Sequence, residues 1–118
     1  MKTLEFSYYD WPEFESYLDI LSDKDAAKLV ETIKKIEEYG LLIAERQKWV
    51  KKLDENLYEI RSKHASNIQR AIYFRFIESK YVITQGFTKK TQKTPMAEIK
   101  KARRRRTHYL KRGMNHHE

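Results

Sequence analysis

"LYEIRSKHASNIQRAIYFRFIESKYVITQGF", residues 57–87, decides the fold. Three runs rich in β-branched and aromatic residues, 57–61, 68–77 and 80–87, are separated only by "SKHASN" and "ES". Connections that short join neighbouring antiparallel strands, so the stretch reads as a three-stranded meander. Strand alternation places Leu57, Glu59 and Arg61 on one face, with Tyr58 and Ile60 on the other. On the next strand Arg70, Ile72, Phe74 and Phe76 share a face, opposite Ala71, Tyr73, Arg75 and Ile77. Glu59 and Arg70 meet across that pair if the register permits.

Upstream, "LEFSYY" (4–9) reads as a further strand. Asp10 then stands as a cap before Pro12 and Glu13, and Trp11, Phe14, Leu18 and Leu21 recur as one apolar stripe. Ser22 caps a second helix whose stripe is Leu29, Ile33 and Ile36, and Gly40 offers a left-handed stop. So short a link predicts an antiparallel helix hairpin. Residues 41–56 mix charge with Trp49 and carry no firm element. Downstream, Thr94 as N-cap and Pro95 at the first position open a last helix, with Met96, Ile99, Ala102 and then Tyr109 or Leu110 as a thin apolar stripe. The expected architecture is α+β: an N-terminal strand and helix hairpin packed on an antiparallel sheet, followed by a basic C-terminal helix. A chain of 118 residues suits one domain, placed at 1–112 with a frayed tail over 113–118.

Composition narrows the chemistry. There is no cysteine, which removes disulfides, thiolate catalysis and Cys-based zinc sites. The three glycines, at 40, 86 and 113, form no phosphate-cradling loop, and no HExxH or DxD pattern gathers a metal. No cofactor and no metal are expected. No apolar run is long enough to cross a bilayer, which predicts a soluble, cytoplasmic protein.

The charge is lopsided. The chain carries +8 overall, but residues 87–112 hold six Lys and five Arg against the single Glu98. Residues 1–86 nearly balance. Such asymmetry marks a polyanion-binding surface, for which nucleic acid is the commonest partner. "GFTKKTQKTP" (86–95) sets three lysines together with no acid, and like charges repel over a Debye length of roughly 8 Å. Folding gives no reason for that repulsion. "RRRR" (103–106) says less, because helical residues fan around the axis by about 100° each. Arg61 and Arg70 read either as anion ligands or as solvated strand ends and ion-pair partners of Glu59. Phe87 reads as core or as a stacking platform for a base. His64 falls in the "SKHASN" loop as a surface residue, and His108 is the better placed histidine for proton transfer.

The motifs "LYEIRS", "NIQRAIYF" and "YVITQGFTKKTQKTPMAEIKKARRRRTHYL" resemble the HigB-like, phage-derived branch of the RelE/ParE toxin superfamily, densely from about Leu53 to Leu110. The resemblance implies a RelE/ParE-like fold and the toxin of a type II toxin–antitoxin pair. It further implies a metal-independent endoribonuclease that cleaves messenger RNA on the ribosome, with a helix-turn-helix, HigA-like antitoxin as partner in a hetero-oligomer. Under that resemblance Arg61 and Arg70 hold the scissile phosphate, and Lys89 and Lys90 share proton transfer and charge stabilisation. Phe87, Lys93, Arg103, Arg106, His108 and Tyr109 are the expected RNA contacts, with His108 and Tyr109 also in reserve for proton transfer because members of the superfamily differ in catalytic residues. Two other functions stay open: a ParE-like inhibitor of DNA gyrase without nuclease activity, and a non-catalytic RNA- or ribosome-binding module.

Overall fold

Short polar caps begin the first helices, as the sequence requires. In the computed structural model, which describes residues 2–89 and 93–116, the Asp10 carboxylate accepts from the Glu13 amide at 3.0 Å and starts α1 (Trp11–Ile20). The Ser22 hydroxyl accepts from the Asp25 amide at 3.1 Å and starts α2 (Asp23–Tyr39). Gly40, at φ +91°, ends α2 by donating to the Ile36 carbonyl, in a backbone region that side chains rarely adopt. Ahead of these helices lies β1 (Glu5–Tyr8), and after them come α3 (Leu41–Arg46), β2 (Val50–Asp54), β3 (Leu57–His64), β4 (Asn67–Ile77), β5 (Lys80–Lys89) and α4 (Met96–His116).

The five strands form one mixed sheet in the order β1-β5-β4-β3-β2. The meander β2-β3-β4-β5 is antiparallel, and β1 joins it parallel to β5, with Phe6 opposite Tyr81. Each face of the sheet carries its own core. On one, Phe14 of α1, Leu29, Ile33 and Ile36 of α2 and Ala44 of α3 cover Ile60, Ala71, Tyr73 and Ile83. On the other, Ala102 with Ile99, Tyr109 and Leu110 of α4 covers Leu57, Ile72, Phe74, Val82 and Phe87. This α+β arrangement agrees with the RelE/ParE-like fold; the expected stripe of α2 and most of that of α4 face the sheet, as do Phe14 and Leu18 of α1, whereas Trp11 and Met96 are exposed.

The structure corrects several boundaries. Residues 41–56 fold into α3 and the edge strand β2, whose half-exposed side chains carry little alternation to read. The expected six-residue loop 62–67 is only Ala65 and Ser66: buried Ser62 pairs with Gln69, and His64 with Asn67, so both strands run on to a two-residue turn with Ala65 at φ +55°. Helix α4 starts one residue later than expected. The Pro95 carbonyl accepts from the Glu98 and Ile99 amides, while the Thr94 hydroxyl points into the sheet. At its far end α4 continues past Gly113, where a frayed tail was expected, to His116. Among the described residues no helix is long and apolar enough to cross a membrane.

Two measurements probe this packing. A methyl group on Gly86 lies 2.6 Å from the Tyr17 ring and 2.9 Å from Phe14, so Gly86→Ala overpacks the junction of α1 and β5. It is expected to destabilise by about 1–3 kcal/mol in urea unfolding, whereas an unchanged midpoint would refute the close α1–β5 contact. Hydrogen bonding to Arg105 holds the Glu13 carboxyl below its ordinary pKa of 4.5. A depressed carboxyl contributes stability above its unfolded pKa and loses it as pH falls through the folded one. The stability gap between wild type and Glu13→Gln should therefore shrink as pH is lowered below about 4.5, in proportion to the salt-screened, partly exposed pair.

Candidate functional site

The register aligns the residues singled out in the sequence. Arg61 of β3 lies opposite Arg70 of β4, which lies opposite Phe87 of β5, so the three form one row across the α4 face of the sheet. Lys89 stands two residues further along β5, opposite Ile68, and on that same face. Neighbouring strands are about 4.8 Å apart, so Lys89 and Arg61, two strands from each other, flank the same end of that face.

Glu59, also on this face, organises the row. Its Oε1 is 3.4 Å from Arg70 Nη1 and 3.9 Å from Arg61 Nε, and its Oε2 accepts the Thr94 hydroxyl. Arg70 Nη1 also donates to Thr94 Oγ1 at 3.4 Å. Glu59 and Arg70 have no solvent exposure at all, while Thr94 is buried just ahead of α4. A carboxylate and a guanidinium removed from water carry a desolvation penalty of several kcal/mol each, which only close mutual contact offsets. The pair therefore holds Thr94 and the start of α4 against β3 and β4. Gln85 adds a second tie, its Nε2 donating to the Glu98 carbonyl at 2.9 Å.

Burial divides the two arginines. Arg70, expected on the scissile phosphate, lies wholly inside the fold beside Glu59 and Thr94. Arg61 keeps 29% of its side chain exposed and can offer its guanidinium to an anion while its Nε stays near Glu59. Lys89 is half-buried and Lys93 exposed. Lys90, the other expected proton-transfer lysine, lies outside the described residues.

The expected RNA contacts separate in the same way. Phe87 is a core residue, 9% exposed and packed with Ile72, Phe74 and Ala102, so its ring is closed to a base. Tyr109 packs edge-on to Phe74 and Phe76 at centroid distances of 5.8 and 5.1 Å. The arginine run mostly ties α4 down. Arg103 pairs with Asp54, and Arg106 donates to the carbonyls of Glu55 and Asn56 at 2.7 and 3.0 Å. Arg105 clamps Glu13 at 2.7 and 3.0 Å, donates to the Thr84 carbonyl and lies over the Tyr9 ring. His108 is exposed, with its Nδ1 2.8 Å from the Tyr9 hydroxyl.

Sequence reading passed over one pair. His64 Nδ1 lies 3.0 Å from Oδ1 of buried Asp25, whose other oxygen accepts from Asn67 at 3.3 Å. Asp25 is the third residue of α2 and 39 positions from His64, and nothing local in the sequence links them. Among the described residues no group of His, Asp and Glu is placed to hold a metal ion.

A comparison with protein families matches residues 16–107 to the family described as "Phage derived protein Gp49-like (DUF891)". A comparison with curated proteins returned no match.

The buried pair is tested by a double-mutant cycle. Removing one partner, as in Glu59→Leu or Arg70→Met, should destabilise by about 3–5 kcal/mol because the other charge is left buried. The double substitution is expected to recover a large part of that loss. Additive effects in urea unfolding would contradict the interaction.

Proposed function

The chain belongs to the Gp49-like family of phage-derived, RelE-toxin-like proteins, and on that premise we propose that it is the toxin of a type II toxin–antitoxin pair, a metal-independent endoribonuclease acting on messenger RNA at the ribosome. One observation carries the reading: half-exposed Arg61 and Lys89 share the sheet face from which the acid-free segment 87–95 departs, and a buried carboxylate organises the row beneath them.

RNA cleavage of this class needs three services. A base takes the proton of a 2′-hydroxyl as its oxygen attacks the adjacent phosphorus, cations stabilise the charge growing on the phosphoryl oxygens, and an acid protonates the departing 5′-oxygen. The products are a 2′,3′-cyclic phosphate and a 5′-hydroxyl. Arg61 supplies the fixed positive charge, since a guanidinium stays protonated and binds phosphate through two parallel hydrogen bonds. Lys89 and Lys90 share the proton transfers. Arg70 acts through Glu59 as a positioning residue. Lys93, Arg103 and Arg106 lie beyond the reacting centre and meet RNA backbone phosphates, Arg103 by exchanging Asp54 for a phosphate.

A helix-turn-helix antitoxin of the HigA-like kind is the expected partner in a hetero-oligomer. Its inhibitory element covers the cationic surface or bars the domain from the ribosomal A site, and either action silences the toxin. The site of action is the cytoplasm, where ribosomes and messenger RNA are found.

The proposal is checked by adding purified protein to translating ribosomes and mapping RNA 5′ ends. New ends at codon boundaries are expected with wild type, and Arg61→Ala and Lys89→Ala should each lower cleavage by roughly 100-fold or more. Wild-type cleavage in both variants would remove these residues from the chemistry. Trapped DNA–gyrase complexes with no new RNA ends would instead support a ParE-like inhibitor.

A further inference from the structure

A second cationic feature lies on the other side of Arg61. A cleft of about 280 Å³ opens just ahead of β2, where the outer edge of β3 is left beside α2. Five cations line it: Lys28 and Lys35 from α2, Lys48 from the turn before β2, and Arg61 and Lys63 from β3. No carboxylate lines it among the described residues. Lys35 is held by Glu31 at 2.8 Å and lies over the Trp49 ring, and Arg61 shares Glu59 with Arg70, but Lys28, Lys48 and Lys63 have no ion-pair partner among the described residues.

Folding does not call for this grouping. None of the five cations is a core residue, and their mutual repulsion inside a recess is screened less than on an open surface. The floor supplies a second observation. Ser62 is 3% exposed, lines the cleft, and its hydroxyl has no hydrogen-bond partner, although a buried hydroxyl ordinarily has one. An anion seated among the lysines accepts that hydroxyl. Half-exposed Trp49 adds an aromatic surface to the wall, and a nucleic-acid base next to a bound phosphate stacks on such a ring.

We propose that this cleft is a binding subsite for a backbone phosphate of single-stranded RNA. Lys28, Lys48 and Lys63 hold the phosphate, Ser62 donates to it from below, and Trp49 receives a flanking base. Because Arg61 belongs both to the cleft and to the row with Arg70, the subsite extends the RNA path from the proposed reacting phosphate over the edge of β3 toward α2. The choice of RNA as the source of the phosphate rests on the nuclease reading. The existence of an anion site there does not.

The experiment uses the full chain and a short 2′-O-methyl oligoribonucleotide, which cannot be cleaved, so that binding is read apart from chemistry. Affinity is measured against salt for wild type and for Lys28→Gln/Lys48→Gln, whose lysines are not placed in the reacting centre. Loss of one phosphate contact should make the slope of log K against log salt shallower by about 0.7 and weaken binding several-fold at low salt. Oligonucleotide should also shift the Trp49 indole and Ser62 amide resonances in wild type and much less in the double variant. Unchanged affinity and slope in the double variant, unmoved Trp49 and Ser62 signals, or no oligonucleotide binding by wild type at low salt would each overturn the proposal. Binding that depends on Lys28 and Lys48, in a protein that leaves RNA on ribosomes intact, would support the subsite while removing the nuclease reading.

Discussion

A carboxylate with a guanidinium beside it, both shut away from water, is the constraint on which the site depends. Glu59 and Arg70 lie on adjacent strands and meet diagonally, since the β3–β4 register sets Arg61 opposite Arg70 and Glu59 opposite Ile72. The diagonal contact leaves the second oxygen of Glu59 for Thr94, the residue through which the chain climbs from β5 into α4. Hydrophobic residues at both places together would pack with less desolvation penalty. The ionic version ties the sheet to Thr94 at the start of α4, and keeps the half-exposed Arg61 beside the same carboxylate.

Seen from that cluster, the basic C-terminal helix has two roles. Its inward stripe of Ile99, Ala102, Tyr109 and Leu110 closes a core, and its arginines reach sideways to Glu13, Asp54 and the β2–β3 turn. Three of the four consecutive arginines are therefore fasteners between α4 and the body of the domain. Excess charge that reads in the sequence as a single RNA-binding run is divided between holding the helix down and presenting cations at the end of the sheet.

The meander, the helix caps at Asp10 and Ser22 and most of the apolar stripes were legible, because each rests on spacing within a few residues, while Trp11 and Met96 lie exposed at the helix starts. What was hidden is long-range. The edge strand β2 shows no clean alternation because only part of it faces a core, and the contact of His64 with Asp25 depends on how α2 crosses β3. Arg61 and Arg70 stood as either anion ligands or partners of Glu59; the structure buries Arg70 beside Glu59 and Thr94, while Arg61 retains access to solvent. Phe87 and Tyr109 show the general difficulty: an aromatic beside a basic segment suits stacking with a base and packing in a core equally well until burial is known.

Under the proposed ribonuclease function, the buried cluster positions the RNA-cleaving groups rather than merely stabilising the domain. Thr94→Val tests it directly, because it deletes the hydroxyl that joins Glu59 to the start of α4 while preserving side-chain shape. The measurement is the rate at which new RNA 5′ ends form on translating ribosomes, taken at a temperature where urea unfolding shows the variant to be fully folded. A loss of about tenfold or more in the folded variant is the predicted result, in line with the sensitivity of such reactions to small misplacements. Cleavage at the wild-type rate would contradict the account.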